Sequence, residues 1–405
     1  MTERPALDVY TARVPMARPF AHAAHARRTS ASVLVRCSLA GATGWGEGAP
    51  RTYVTGEDLA SAAQALLNTE PPDWEGVFTG SFEDGVRALA ALDLPGTLGS
   101  PGRPAPAAAA ALETALLDAW CRIHGRDAAD ALALAAAPGV LGSAPRIRAS
   151  ALVLDSSRGP ERLLGALSPE ALAHLTHIKV KALPDPHGTQ QLVRRVREFT
   201  DPAATSVSVD ANGAWEEPAT ALRAAALLAD HVSWLEEPTR PRDWATLHRV
   251  QRDTGCPVML DESAVGPADL DSAHAHAAAT YVNVRVSKCG GPLGALRMLA
   301  RARALGLHCQ LGVQVAEVGP LWAAGRLLAA WAADLVAVES GRQDEWFAPD
   351  LTTPAYAVDR VRHRAAPLPG PGFGLTPTGL PLRHIGRAGA PARHPATPTT
   401  TRTSA

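Results

Sequence analysis

The sequence predicts an α/β protein in which a parallel (β/α) barrel follows a small α+β domain. Short apolar runs rich in β-branched residues alternate with roughly 20 to 30 residues of helix-like sequence, the pattern of βα units around a parallel sheet. Each run also ends on a charged residue. Strands buried on both faces are almost wholly apolar, so such a charge is costly unless it is used at the strand end. In a closed barrel these ends open onto one mouth, where active sites lie.

The N-terminal part begins with predicted strands over residues 7–15 and 31–40. A glycine-rich segment, 41–51, is predicted to be a turn, and 94–106 a loop. Alanine-rich helices are predicted around this loop, the clearest over residues 107–123, where apolar residues recur at helical spacing. Two or three strands followed by helices indicate a small α+β domain.

The predicted barrel strands extend from about residue 146 to about residue 340, with helix-like segments between them. Their carboxyl ends are expected to lie side by side around the mouth. The charged residues at these ends are Lys179 and Lys181, Asp210, Glu236, Asp261, Arg285 with Lys288, and Glu339.

Three of the strand ends carry carboxylates, Asp210, Glu236 and Asp261, spaced about 25 residues apart. Three converging acids would repel one another strongly unless a cation bound them. A few hard oxygen ligands suit Mg²⁺ best, with Mn²⁺ as a substitute. The alternative is that each acid is an unrelated helix N-cap after a strand, which explains one such residue better than three in order.

Lys179 and Lys181 lie two residues apart on a predicted strand, so their side chains should share one face. Lys181, nearer the mouth, is the candidate general base. Lys179, as a neighbouring ammonium, would favour the neutral form of Lys181. Asn212, two residues after Asp210, is a candidate for contact with the substrate or with a metal ligand. Glu262 is expected to support the metal ligands rather than bind the metal.

With K-V-K, D-A-N, E-E-P, D-E-S and N-V-R-V-S-K-C-G-G in this order, the chain resembles the enolase superfamily. The resemblance is to its muconate-lactonizing, dipeptide-epimerase and o-succinylbenzoate-synthase side, and it covers roughly residues 5–386. It implies a modified (β/α)7β TIM-type barrel with an N-terminal α+β capping domain that the C-terminal segment completes. It also implies Mg²⁺-dependent removal of the proton α to a substrate carboxylate, through a metal-stabilised enediolate.

The resemblance also divides the chain. Residues 1–125 would form the capping domain, 126–342 the barrel with the metal site, and 343–386 a return to the capping domain. Residues 387–405 are rich in Pro, Thr and Ala without apolar periodicity, and are predicted to be disordered.

In this family, loops of the capping domain close over the barrel mouth and select the substrate. The matching segments here are residues 19–29 and 51–53, which makes Tyr53 a candidate substrate-binding residue. The first segment carries basic residues that could hold an anionic group of the substrate, although a solvated basic loop explains them equally well. These residues are His22, His25, Arg27 and Arg28.

The sixth strand departs from the family pattern, because Arg285 stands where the nearest members carry a lysine that faces Lys181 across the substrate. Arginine cannot readily shuttle a proton, but it can hold a carboxylate or act as a fixed cation. The alternative role is a structural salt bridge in the mouth. Alternation directs Arg285 inward together with Asn283 and directs Lys288, three residues on, away from the mouth.

A buried arginine needs a carboxylate partner, so one should lie within hydrogen-bonding reach of Arg285. The expected partner is the substrate or one of Glu262, Glu317 and Glu339.

The seventh and eighth strands bear on the substrate. Dipeptide epimerases of the family carry Asp-x-Asp on the eighth strand to hold an ammonium group, whereas here A-V-E-S leaves only Glu339. This weakens a dipeptide substrate without excluding an amino-acid-like one. Gln314 and Glu317 are polar candidates near the seventh strand, and either could be a second acid/base or simply a helix N-terminal residue. Glu317 and Glu339 are also taken as candidate substrate-binding residues. The Asp–His pair of mandelate racemases does not occur at the matching positions.

Three functions are therefore considered. The favoured one is a one-base elimination, dehydration or cycloisomerisation in which Lys181 acts first as base and then as acid. The second is a racemase or epimerase in which Glu317, Glu339 or Lys288 replaces the missing base. The third is a non-catalytic binding protein on the same fold.

Composition sets the remaining expectations. The 405 residues are 46% hydrophobic and 20% charged, with a formal net charge of −1, which argues against nucleic acid or an anionic membrane surface as partner. A small carboxylate substrate and a homo-oligomer are expected. Five scattered cysteines without metal-ligand spacing, no long apolar run and no signal-like N-terminus predict a cytoplasmic protein.

Overall fold

The computed structural model describes residues 4–21, 26–68, 77–155, 159–339, 346–347 and 350–389. His22, His25 and the predicted disordered segment from residue 390 onward lie outside these ranges. The strands are β1 (Ala6–Ala21), β2 (Ala26–Leu39), β3 (Ala42–Gly48), β4 (Leu152–Leu154), β5 (His177–Lys181), β6 (Ser206–Asp210), β7 (Trp234–Glu236), β8 (Val258–Leu260), β9 (Tyr281–Val284), β10 (His308–Leu311), β11 (Leu335–Val338) and β12 (Leu382–Arg387).

The helices of the described residues connect these strands in alternation from β4 onward. They are α1 (Thr52–Thr55), α2 (Leu59–Leu67), α3 (Phe82–Ala90), α4 (Leu94–Leu98), α5 (Pro106–Ile123), α6 (Ala128–Ala135), α7 (Pro160–Leu163), α8 (Pro169–Ala173), α9 (Pro186–Arg197), α10 (Pro218–Leu228), α11 (Trp244–Thr254), α12 (Pro267–Ala275), α13 (Pro292–Ala304) and α14 (Pro320–Trp331). None of them is long and apolar enough to cross a membrane.

The barrel consists of the eight parallel strands β4 to β11, which pair in sequence order. The backbone N–H of Ala151 donates to the carbonyl of Val338 at 2.6 Å and thereby joins the first strand to the last. The register places Lys181 opposite Asp210 and Asp210 opposite Glu236. The predicted alternation of strands and helices is thus confirmed, and it brings the charged strand ends together.

The capping sheet is antiparallel, in the order β12-β1-β2-β3. Its outer strand β12 comes from the C-terminal segment and pairs with β1, with Leu382 opposite Ala12. The predicted fold class, a barrel with an N-terminal α+β domain that the C-terminal segment completes, is therefore confirmed. β12 extends through Arg387, one residue into the predicted tail, and the exact domain boundaries stay a prediction.

The glycine-rich segment is a strand rather than the predicted turn. Residues 42–48 form β3, whose glycines at 44, 46 and 48 face helix α5. A Cβ at any of the three would overlap backbone atoms of α5, so the glycines permit close packing of helix on sheet. The predicted loop 94–106 likewise contains the short helix α4, which Asp93 caps through the N–H of Gly96.

Gly46→Ala is expected to lower the free energy of unfolding by about 3 kcal/mol, because its Cβ would lie 2.6 Å from the backbone N of Ala115 and still closer to the carbonyl of Ala111. Gly142→Ala is the matched control, since the nearest atom there is 3.5 Å away. Urea titrations of both variants test the difference. Equal midpoints would show that the approach of α5 to β3 does not limit stability.

Two carboxylates of the capping domain bind the starts of barrel helices. Glu47 of β3 accepts hydrogen bonds from the N–H groups of Val318 at 2.8 Å, Gly319 at 3.0 Å and Leu321 at 3.3 Å, at the N-terminus of α14. Glu113 of α5 accepts from the N–H of Leu293 at 2.7 Å, at the N-terminus of α13. Both carboxylates are completely buried. They satisfy helix N–H groups that water cannot reach.

Candidate active site at the barrel mouth

The candidate base, Lys181, lies at the end of β5 beside the first predicted metal ligand. Its Nζ donates to Asp210 Oδ2 at 2.5 Å and to Asn212 Oδ1 at 2.9 Å. Asn212 adopts a positive φ of 46° and donates from Nδ2 to Glu262 Oε1 at 3.1 Å. Burial would raise the pKa of Asp210, but Lys181 and Lys179 lower it below its ordinary value. Lys181 is therefore held by fixed polar partners.

Lys179 lies one layer deeper and binds three carboxylates. Its Nζ is 2.5 Å from Glu236 and 3.6 Å from Asp210, and it also forms an ion pair with Glu339. Burial would lower the pKa of Lys179, whereas Glu236 and Glu339 raise it above its ordinary value. Lys179 thus provides a permanent positive charge beneath Lys181.

Arg285 points into the mouth, as alternation predicts, and a carboxylate lies within hydrogen-bonding reach. That carboxylate is Asp261 rather than Glu262, Glu317 or Glu339, and contact with the substrate stays a prediction. Its guanidinium forms an ion pair with Asp261 through Nη2 and donates from Nη1 to Gln314 Oε1 at 2.8 Å. The reason is the register of β8 and β9, which pairs Met259 with Tyr281 and so brings the two strand ends together. Burial would lower the pKa of Arg285, but Asp261 and the other nearby carboxylates raise it well above its ordinary value.

Lys288 does not point away from the site, which corrects the prediction. Its fully buried Nζ donates to Asp261 Oδ1 at 2.9 Å, to Asp261 O at 2.7 Å and to Asn283 O at 2.7 Å. Strand alternation does not extend to this residue, because β9 ends at Val284 and the chain turns there. Asp261 therefore has two cationic partners.

The three predicted metal ligands are buried, with 1% or less of their surface exposed. Within the described part of the chain, no three His, Cys, Asp or Glu side chains surround a point that could hold a metal ion. Instead, single cations are shared between neighbouring carboxylates: Lys179 between Asp210 and Glu236, and Arg285 between Asp261 and Glu236, at 3.8 Å from the latter. Buried carboxylate oxygens that already share cations are a donor set that fits Mg²⁺ by its chemistry, and the ligand assignment stays a prediction.

Two supporting residues were not found from the sequence. Glu237, with φ of 41°, accepts hydrogen bonds from the N–H groups of Asp261 at 2.7 Å and Ser263 at 3.1 Å. It thereby fixes the backbone at Asp261. In the sequence, Glu237 is the second acid of the E-E-P motif, which was the feature that could have indicated its role. Asn283 donates from Nδ2 to Glu236 Oε1 at 2.8 Å. Its position two residues before Arg285 predicted that its side chain points inward, but not that it binds Glu236.

The predicted substrate-binding residues lie in different places. Glu317 accepts from the N–H of Gln314 at 2.8 Å, and burial together with Glu47 raises the pKa of Glu317 to about 8. Tyr53 receives a hydrogen bond from Arg27 at 3.2 Å and lines a separate crevice of about 990 Å³ between capping and barrel elements. Glu339 binds Lys179 and lines the cavity beside the lysines.

The cavity at the lysines has a volume of about 60 Å³ and is lined by both lysines, Arg285 and Glu339. Phe20 and Trp346 complete the lining with rings that meet edge to face at 5.3 Å between centroids. The Nζ of Lys181 lies 5.9 Å from the ring centroid of Phe20. The candidate base therefore faces a small space with an aromatic wall.

Comparison with known proteins agrees with this architecture. A family model described as enolase C-terminal domain-like matches residues 166–379. The chain is 27% identical over 307 residues to the L-Ala-D/L-Glu epimerase of Bacillus subtilis (strain 168), covering 75% of this chain and 78% of the relative. It is 32% identical over 277 residues to a hydrophobic dipeptide epimerase of Roseobacter litoralis, which covers 67% of this chain and 72% of the relative.

Solved structures show the same fold. The N-succinyl Arg/Lys racemase from Bacillus cereus ATCC 14579 superposes with a TM-score of 0.74 at 22% identity, covering 93% of this chain and 96% of that one. A muconate lactonizing enzyme from Pseudomonas fluorescens, complexed with muconolactone, superposes with a TM-score of 0.75 at 21% identity. The match covers 93% of this chain and 97% of that one. The chain belongs to the enolase C-terminal domain-like family and is an enzyme of the enolase superfamily.

Proposed function

We propose that this enzyme removes the proton α to the carboxylate of a small substrate and completes a one-base cycloisomerisation or elimination, with Lys181 as both base and acid. The observation that carries the proposal is Arg285. It occupies the position opposite Lys181 in the resemblance, where a second lysine would act, and its guanidinium is tied to Asp261 and Gln314. An arginine so paired holds its proton and supplies positive charge instead.

We further propose Asp210, Glu236 and Asp261 as ligands of Mg²⁺, with Mn²⁺ as a substitute. Support comes from the buried oxygen donor set and from two relatives, dipeptide epimerases of Enterococcus faecalis and Cytophaga hutchinsonii, whose structures are complexes with Mg and a dipeptide. When bound, Mg²⁺ would stabilise the negative charge that the substrate carboxylate gains as the α proton leaves.

The protein's own residues would share the remaining work. Asp210 and Asn212 orient the Nζ of Lys181, which takes the α proton in its neutral form. Lys179 keeps a permanent positive charge below Lys181, held there by Glu236 and Glu339. In an elimination, the electron pair of the broken C–H bond expels the leaving group from the β-carbon, and the Lys181 ammonium protonates that group on the same face. In a cycloisomerisation, ring opening proceeds in the same way with a ring oxygen as the leaving group. Ring closure is the reverse: an oxygen of the substrate adds to the β-carbon of a double bond, and the Lys181 ammonium gives its proton to the α-carbon.

An epimerase is the second candidate, because the sequence relatives named above are epimerases. It requires a base on the second face of the α-carbon. The three groups considered for that role already have bonding partners. Glu317 accepts a hydrogen bond from the N–H of Gln314, Glu339 forms an ion pair with Lys179, and Lys288 donates to Asp261. The one-base reaction needs none of them to be released.

Solvent exchange in D₂O with each enantiomer of N-propionylvaline distinguishes the candidates. A single base on one face should exchange the α proton of one enantiomer only, with retention. Arg285→Lys is expected to lower this rate while adding slow exchange of the other enantiomer, because a lysine there can accept a proton. NMR measures the rate of exchange, and chiral chromatography measures the configuration of the product.

Arg301→Lys is the control, since Arg301 forms a half-exposed ion pair with Asp271 far from these groups in the fold. If Arg285 is only a structural salt bridge, Arg285→Lys should lower stability and leave exchange per folded molecule unchanged. Stereoinversion at full rate in the unmutated enzyme would contradict the one-base mechanism.

A further inference from the structure

Every charged side chain described in the lining of the cavity at the lysines already has a partner of opposite charge. Among the described lining residues, four side chains are cationic and one, Glu339, is a carboxylate. The four are Arg18, Lys179, Lys181 and Arg285. These cations already pair with carboxylates: Arg18 with Asp155, Lys179 with Glu236, Lys181 with Asp210 and Arg285 with Asp261. Within the described lining, a substrate ammonium would therefore compete with a buried cation for any carboxylate that it met.

Glu339, the single carboxylate among the described residues of the lining, is already bound. Glu339 Oε1 forms an ion pair with Lys179 and accepts from Gln310 Nε2 at 3.4 Å, and Oε2 accepts from the N–H of Val313 at 3.2 Å. To bind a substrate ammonium, Glu339 would have to leave a buried lysine without one of its partners. Breaking such a buried pair is costly, so Glu339 is a poor ammonium receptor.

The remaining lining residues that the structure describes are apolar. They include Phe20, Trp346 and the aliphatic side chains of Val153, Val313 and Val315. Trp346 is held in place by Arg18, whose guanidinium lies 3.9 Å from the ring centroid and pairs with Asp155 at 2.8 Å. A neutral, apolar group therefore fits beside the lysines better than a charged one.

We infer that the substrate is a carboxylic acid with an apolar body and no free ammonium group, unlike the dipeptides named for several relatives. This rests on the proposed function, because it assumes that the substrate carboxylate is placed beside Lys181. The body of the acid would pack against Phe20, Trp346 and the valines.

Two probes that differ only in the ammonium group test the inference: N-propionyl-L-valine and the dipeptide L-Ala-L-Val. Titration calorimetry with Mg²⁺-loaded enzyme is expected to give a dissociation constant about 100-fold higher for the dipeptide, because its ammonium would lose water without gaining a carboxylate partner of its own. Equal or tighter binding of the dipeptide would overturn the inference. So would failure of both probes to bind at millimolar concentration.

The apolar wall is tested by a pair of variants at one position. Phe20→Ser is expected to weaken binding of N-propionyl-L-valine about tenfold, whereas Phe20→Leu, which keeps an apolar side chain, should stay within about threefold of the parent. The affinity for Mg²⁺ should be the same in both, which shows that the fold is retained. Equal binding by the two variants would remove Phe20 from the site.

Exchange of the α proton, measured separately from binding, tests proton abstraction independently of the substrate class. Selective binding without exchange would contradict the proposed proton abstraction and leave the inferred substrate class in place. Exchange of L-Ala-L-Val as fast as that of N-propionyl-L-valine would support proton abstraction and overturn the substrate class.

Discussion

Lys181→Ala is expected to abolish turnover while the protein remains folded and still binds Mg²⁺. Loss of a positioned general base costs about 10² to 10⁴ in rate, and here the same amine would also return the proton. Folding should survive, because Asp210 keeps Lys179 as an ion-pair partner at 3.6 Å and the N–H of Asn212 at 3.0 Å. Exchange of the α proton, circular dichroism and Mg²⁺ titration measure the three properties.

Lys181→Arg is the matched control for charge. It keeps a cation beside Asp210, but a guanidinium holds its proton and cannot serve as a general base. If Lys181 is a base, both variants should be inactive, and Lys181→Arg should be the more stable. Activity in Lys181→Arg would instead assign Lys181 a purely electrostatic role, and wild-type activity in Lys181→Ala would remove it from the mechanism.

Asp261→Asn is expected to weaken Mg²⁺ binding by about 100-fold or more, because one of three proposed anionic ligands is lost. It should also lower the free energy of unfolding by about 3 to 5 kcal/mol, since Arg285 and Lys288 would lose the buried carboxylate that they share. Calorimetric Mg²⁺ titration at low temperature and chemical denaturation without Mg²⁺ separate the two effects.

The control for Asp261→Asn is Asp271→Asn on the surface of α12. Asp271 pairs with Arg301, and the side chains are 49% and 42% exposed. Loss of such a pair changes stability by about 1 kcal/mol or less and should leave Mg²⁺ affinity unaltered. Unchanged Mg²⁺ affinity in Asp261→Asn would move the ligand assignment away from this residue.

The sequence was sufficient for the strand ends because their position follows from a simple rule. In a parallel barrel the carboxyl ends share one edge, so a charge at the end of each apolar run must meet its neighbours. The meeting of Lys181, Asp210 and Glu236 at neighbouring strand ends follows from that rule alone. Alternation along β9 was likewise enough to direct Arg285 and Asn283 inward.

The same rules failed where strands end. Lys288 lies beyond β9, so its direction depends on a turn whose geometry has no two-residue period. The partner of Arg285 depends on the register between β8 and β9, which the sequence of either strand does not reveal.

The glycines of β3 led to the wrong prediction of a turn, again because the structure there depends on a distant part of the chain. A glycine marks a turn when the backbone needs a positive φ, but it marks close packing when another element comes near. Gly44, Gly46 and Gly48 are of the second kind, and the helix that requires them begins almost 60 residues later. Local sequence carries no trace of such a contact.

The carboxylates of Glu47 and Glu113 restrict how this enzyme can be recombined with its relatives. Each belongs to the capping domain but satisfies N–H groups at the start of a barrel helix, α14 and α13 respectively. A chimera that grafts a foreign capping domain onto this barrel would leave those groups buried without acceptors, at a cost of about 1 to 3 kcal/mol for each, unless the donor supplies an acid at both positions. Engineering of new specificity by domain exchange should therefore transplant these two residues together with the loops.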